Sequence, residues 1–268
     1  MINLKYNIPT KELECKYTKT LDSTKFGKGK SAKSVREKFE DLKQTYPYSV
    51  IFFDLSFSDI VFTLPNNLDC LIDKIESRII EQSSIRYKTI DNKKKFIYEA
   101  KDELKKLFKY EKKFQNPISK FFESNLQTRT CYFCNIHFVN EYKVNDTEYK
   151  NEFTLDHYYD KSSYPYLALS LYNLIPSCYT CNSKLKKTDT IKLAPPNDAS
   201  FDFNERVKFK LYLDISCKDL HIKSKSDIDI ELKENYSNKY KKYIEVFKLN
   251  ERYKAHKDIV FEMIEKAV

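Results

Sequence analysis

The chain has 268 residues, 48 Lys+Arg against 39 Asp+Glu for a formal charge of +9, and 41% hydrophobic residues. With only two Gly and eight Pro against 15% aromatic residues, the composition excludes a disordered or linker-dominated protein and can bury a sizeable core. No apolar run reaches the roughly 18 residues of a membrane span, and the opening MINLKYNIPTKELECKYTK lacks the apolar stretch of a secretory signal. A cytoplasmic protein with no membrane partner is expected, and the excess positive charge favours a polyanion.

Residues 31–46, SAKSVREKFEDLKQTY, read as a helix with a Ser cap, Val35, Phe39 and Leu42 on one face and YPYS as a stop. SVIFFDLSFSDIVFTLP is rich in β-branched and aromatic residues and reads as a strand or a buried segment. Leu68 to Gln82 carries Leu68, Leu71, Ile72, Ile75 and Ile79 at helical spacing. From about Asn92 to Phe114 a second amphipathic helix is expected, with Phe96, Ile97, Ala100, Leu104, Leu107 and Phe108 in one stripe and its lysines mostly outside it, a solvated face. Asn116 to Asn125 reads as a further short helix. Short strands, turns and a compact helix follow between Cys131 and Lys187. FDF, VKFKLYLDI and IDIELK read as short strands, and Tyr236 to Ala267 as a helical region broken near Leu249. The expected organisation is α+β: a helical part over 1–129, a central module over 130–190, and strands plus a long helix over 191–268 packed on the rest.

Cys131-x-x-Cys134 and Cys178-x-x-Cys181 each suit a tight turn around one side of a metal ion, and thiolates are soft ligands. In a reducing compartment this paired spacing favours structural zinc over disulfides. Cys15, Cys70 and Cys217 have no such pairing and read as core or surface thiols. A four-Cys zinc is coordinatively closed, so chemistry must come from elsewhere. The same segment holds Asp156, His157, Asn173 and Asn182. A carboxylate and an amide oxygen suit Mg²⁺ or Mn²⁺, and an imidazole can take a proton from water.

LDH at the end of a strand, then YNLIPSCYTCN with Asn182 directly after the second Cys pair, resembles the HNH endonuclease motif, the ββα-metal or His-Me finger, in its zinc-stapled four-Cys subtype. The resemblance covers Cys131 to Lys187. It implies a ββα-metal fold and hydrolysis of DNA phosphodiester bonds to leave a 5′ phosphate. It implies His157 as general base, Asp156 and Asn182 as ligands of one Mg²⁺ or Mn²⁺, and Asn173 as the residue that orients the loop or the histidine. Two positions depart from the pattern: Asp160 stands where many members have Pro, and Leu185 where many have Lys or Arg. Lys161, Lys184 and Lys186 are therefore the candidates for meeting phosphate. His137, His221 and His256 have no such company and read as structural; Tyr158, Tyr159, Tyr164 and Tyr166 either line the core or stack on bases.

The layout also resembles the HNH nuclease subunit of Septu-type antiphage defence systems, which implies an ATPase or other defence subunit as partner. The alternative from another class is a zinc-ribbon module that binds nucleic acid or protein and whose Asp-His pair is not catalytic.

Overall fold

The computed structural model describes residues 1–145, 149–189, 191, 193–213, 222, 224–235 and 237–267. Cys217 and His221 lie outside them. The first part is built from α1 (Thr10–Ser23), a two-residue pairing of β1 (Lys25–Phe26) with β2 (Lys33–Ser34), α2 (Val35–Lys43), α3 (Tyr48–Ile51), α4 (Phe57–Val61), α5 (Leu68–Arg86), α6 (Ile90–Phe108) and α7 (Gln115–Asn125). The α2 helix starts at Ser34, where a capping box joins the Ser34 hydroxyl to the Glu37 amide and the Glu37 carboxylate to the Ser34 amide.

The apolar run over residues 49–65 buries one face, while Val50, Phe53 and Leu64 stay exposed, and it is not a strand. Ser56 and Asp59 form a second capping box, so the run folds into the short helices α3 and α4, whose Ile51, Phe57, Ile60 and Val61 are buried. The expected helix over 92–114 stops at Phe108. A wider helical turn, Tyr110–Phe114, follows it and turns Tyr110 and Phe114 into the core.

After α7 come three hairpin-like units: β3 (Glu141–Lys143) with β4 (Tyr149–Asn151), β5 (Thr154–His157) with β6 (Leu174–Ser177), and β7 (Val207–Leu213) with β8 (Ile228–Glu234), all antiparallel. FDF is not a strand; Phe203 opens the short helix α8 (Phe203–Arg206), and Phe201 and Phe203 are buried in an aromatic cluster with Tyr240. The C-terminal part divides into α9 (Lys241–Val246), α10 (Leu249–Lys254) and α11 (Lys257–Ala267). The break near Leu249 comes from Lys248, which adopts a left-handed conformation at φ 50°.

Mixed helix with small sheets is therefore the architecture, and most of its buried apolar side chains, from Met1 to Leu249, form one continuous cluster. Among the described residues, no helix is long and apolar enough to cross a membrane. The helical part grips the segment that follows His157: the Tyr159 hydroxyl donates to Asp69 (2.8 Å), the Tyr166 hydroxyl to Glu76 (3.1 Å), and Lys101 Nζ to the Ser163 carbonyl (3.0 Å). Thus α5 and α6 hold the loop between β5 and β6.

Candidate functional site

Two clusters occupy opposite ends of the β5–β6 hairpin, whose register pairs Thr154 with Ser177 and His157 with Leu174. At the Ser177 end, the Sγ atoms of Cys131, Cys134, Cys178 and Cys181 all lie within 4.8 Å of one another, and all four residues are buried. Each pair is shaped by its own turn. Asn135 takes a left-handed conformation (φ 54°) and donates its amide to the Cys131 carbonyl (2.7 Å). Cys181 donates its amide to Cys178 Sγ (3.5 Å). A tetrahedral zinc with bonds of about 2.3 Å requires sulfurs about 3.8 Å apart, and Cys134 and Cys178 stand 3.9 Å apart. The tetrad fits a metal ion such as zinc.

Arg252, on α10, completes this end: its Nη1 lies 3.2 Å from Cys181 Sγ and also donates to the Phe247 carbonyl (3.3 Å). A guanidinium offsets the surplus negative charge of four thiolates on one divalent ion. Tyr253 donates its hydroxyl to the Cys134 carbonyl. No sequence signal pointed to Arg252, because it lies far along the chain within an ordinary amphipathic stretch.

At the other end, His157 closes β5 and is buried, 7% exposed. Its Nε2 is 3.0 Å from the Ala168 carbonyl. A carbonyl only accepts, so this bond places the proton on Nε2 and leaves Nδ1 bare. The Tyr110 ring meets the imidazole edge-on, with centroids 4.6 Å apart. Burial, with Lys161 nearby, holds the imidazole neutral and pushes its pKa down to about 3.

Asn173, fully buried, clamps the chain on the far side of the histidine. Its Oδ1 accepts from the Tyr159 amide (2.8 Å), and its Nδ2 donates to the Tyr159 (3.0 Å) and Leu167 (3.2 Å) carbonyls. Its own carbonyl accepts from the Tyr158 amide (2.8 Å). These bonds tie the 159–167 segment to the start of the returning strand. Asp160 caps the turn, accepting from the amides of Ser162 (3.1 Å) and Ser163 (3.0 Å), which accounts for a carboxylate where the family pattern has Pro.

Asp156 and Asn182 are not arranged as expected. The wide helical turn Thr180–Lys186 follows Cys178 and delivers Lys186, fully buried, to Asp156: its Nζ is 3.2 Å from Oδ1, 3.1 Å from Oδ2 and 3.1 Å from the His157 carbonyl. Burial raises the Asp156 pKa to about 6 against the attraction of Lys186, so the carboxyl is ionised above that pH. The Asn182 side chain donates its Nδ2 to Thr154 Oγ1 (2.9 Å). That orientation is set by Thr154, which donates its own hydroxyl proton to the Ser177 carbonyl (3.1 Å).

A divalent cation needs oxygens at about 2.0 to 2.6 Å. Here it would have to share Asp156 with a buried ammonium of the same sign, and Asn182 offers the hairpin a donor. These residues do not fit a catalytic Mg²⁺ or Mn²⁺ as they stand.

Among the three candidate lysines, Lys186 is removed from any incoming phosphate by its burial. Lys184 is exposed, 5.9 Å from the Tyr179 ring. Lys161 is half-buried, pairs with Glu111 at 3.3 Å, and lines a cleft of about 130 Å³ with Lys105, Lys109, Tyr110 and Ala168. Tyr110 and Ala168 are the groups that touch the His157 imidazole, so the cleft abuts it. The remaining histidines and cysteines lie elsewhere: His137 and His256 are exposed, as are Cys15 and Cys70. Tyr158 and Tyr166 are core residues, whereas Tyr159 and Tyr164 are half-buried. No family model, curated relative or solved structure matches this chain.

Proposed function

We propose that this chain is a phosphodiester hydrolase of the HNH type, acting on nucleic acid and on DNA in the first instance, with His157 as its general base. The observation that carries the reading is the joint fixing of His157. Its Nε2 proton is committed to the Ala168 carbonyl, and Asn173 clamps the segment just beyond it. With Nε2 committed, Nδ1 is the atom left to take a proton from water, although burial, which holds the pKa down to about 3, keeps it a weak base until charge at the substrate offsets that effect. The lysines of the adjacent cleft supply positive charge for a phosphodiester, and the +9 chain favours a polyanion. A four-thiolate zinc then serves as the staple that holds the hairpin. A defence role beside an ATPase partner extends this proposal and rests on the resemblance of layout alone.

Incubating the zinc-loaded protein with supercoiled plasmid and with labelled single-stranded DNA tests it. His157→Ala should reduce cleavage by roughly 10² to 10⁴-fold. Equal cleavage by the two proteins, or none by either, sinks the enzymatic reading.

One observation favours a second reading, a zinc-bearing nucleic-acid or protein interaction module: Asp156 is neutralised internally and His157 is buried. Binding of DNA by filter retention, unaffected by His157→Ala and without strand scission, is the result that reading expects.

A further inference from the structure

We propose that Lys186 is the resident cation of the Asp156 centre and that this centre takes no divalent metal ion. The inference deepens the HNH reading and rests on it only in treating Asp156 as the position from which a catalytic cation would be held.

Three oxygens lie 3.1 to 3.2 Å from the Lys186 Nζ: it donates hydrogen bonds to Asp156 Oδ1 and to the His157 carbonyl, while Asp156 Oδ2, buried, meets it as an ion pair without a hydrogen bond of its own. The ammonium lies at the same carboxylate that the family pattern assigns to a metal, and on the backbone of the residue assigned as the base. The side chain is fully buried, so the charge cannot swing out to water without breaking the pair inside the protein. The Tyr158 ring, 5.9 Å from Nζ, backs the ammonium on a further side.

The helical segment explains how the lysine arrives there. Thr180–Lys186 is wound with wide turns: the Lys187 amide bonds back to the Asn182 carbonyl, five residues earlier, at 2.8 Å. Lys187 then leaves the segment with a left-handed backbone (φ 54°). Asn182 and Lys186 both face β5, on Thr154 and Asp156 respectively, and these two strand residues lie on one face of the hairpin. Leu185, at the position where the family pattern has a basic residue, is half-buried and packs against the core.

A divalent ion at Asp156 would sit within a few ångströms of this ammonium in a buried, low-dielectric setting, where repulsion between like charges is severe. Lys186 thus performs the neutralising part of a metal's role permanently, and keeps Asp156 fixed under the strand that carries His157. It is a positioning residue. It cannot polarise a scissile phosphate from that depth, so charge compensation at the substrate falls to the cleft lysines.

The test is metal binding, which reads this claim separately from cleavage. Zinc-loaded wild type, Asp156→Asn and Lys186→Ala are titrated with Mn²⁺, and free Mn²⁺ is followed by electron paramagnetic resonance while zinc content is checked. The proposal expects wild type and Asp156→Asn to bind Mn²⁺ identically, and expects a folded Lys186→Ala to gain one site that Asp156→Asn in the same background removes. One Mn²⁺ held by wild type and lost in Asp156→Asn overturns it, as does a folded Lys186→Ala that gains no site. If Lys186→Ala does not fold, the wild-type and Asp156→Asn pair decides alone. Failure of the nuclease reading would appear as absent scission with the Mn²⁺ result unchanged.

Discussion

The two ends of the β5–β6 hairpin answer the same electrostatic problem, negative charge gathered in a buried place, in opposite ways. At the Ser177 end, four soft thiolates converge on a point sized for an external metal ion, and Arg252 balances the surplus charge from outside the tetrad. At the His157 end, a single carboxylate is met by an ammonium from the chain itself. The first arrangement is built around a point sized for an ion; the second already holds an internal cation, with Asp156 Oδ2 left to charge alone and no hydrogen bond. The difference teaches that a carboxylate beside a histidine is not by itself a metal site, because the decisive group is whichever cation the fold delivers to it. The comparison can be attacked at each end.

Removing zinc should have the largest effect. Structural zinc sites contribute apparent binding free energies of about 10 to 16 kcal/mol. Chelation, or Cys181→Ser, should therefore abolish amide-exchange protection at Leu155 and Ile175, the hairpin residues between the two ends. One zinc per chain by elemental analysis is the companion expectation. Protection at these amides that survives chelation would show that the staple does not hold the hairpin.

Next in size is Lys186→Met. It leaves a buried Asp156 carboxylate without its partner, and breaking a buried pair in this way costs about 3 to 5 kcal/mol. The double variant Lys186→Met/Asp156→Asn should recover most of the loss, because no uncompensated charge remains. Urea melts of the four proteins give the coupling directly. Additive losses, with no recovery, would mean that the two groups do not act as a pair.

Asn173→Ala should cost roughly 2 to 3 kcal/mol, since it strands the Tyr159 amide and two carbonyls that now share one side chain. The loss should appear mainly at the 159–167 segment, whose own ties to Asp69, Glu76 and Lys101 keep it docked. A Cys131 to Cys181 zinc site that stays loaded in this variant would sharpen the contrast between the two ends.

The zinc end was legible in the sequence because each Cys-x-x-Cys pair is a local turn, and softness of the ligand is a property of the residue type. His157 and Asn173 were singled out through the resemblance to the HNH motif; the fold sets them next to each other, His157 closing β5 and Asn173 just before the returning strand. The amphipathic helices α5 and α6 could be read from spacing, since one buried face is enough to set them. What could not be read depended on winding and on distant packing. The Lys186 partner of Asp156 follows from the wide turns of Thr180–Lys186, which shift side chains around the helix axis in a way that composition does not encode. The apolar run over 49–65 read as a strand or a buried segment, but the Ser56 capping box and burial of one face through Ile51, Phe57, Ile60 and Val61 make it helical. Arg252 reaches Cys181 only because the chain breaks at Lys248.

The smallest effect, and the most discriminating, is on pH. For His157 the folded pKa of about 3 lies below the ordinary value of 6.5, so between those limits the unfolded chain holds the extra proton and stability falls as the medium becomes more acid. For Asp156 the folded pKa of about 6 lies above the ordinary 3.8. Between 3.8 and 6 the folded chain holds the extra proton, and stability falls as pH rises. Across pH 4 to 6 the two contributions oppose each other: folding moves one proton from the histidine to the aspartate with little net uptake. Wild type should therefore show nearly constant contribution from this pair over that range. His157→Gln should unmask the aspartate, with stability decreasing toward pH 6. Asp156→Asn should unmask the histidine, with stability decreasing toward pH 4. Each slope is limited to about 1.4 kcal/mol per pH unit, the value for one proton. Urea melts at pH 4, 5 and 6 measure it, and slopes of the same sign in both variants would break the picture of two neighbouring groups buried with opposite consequences.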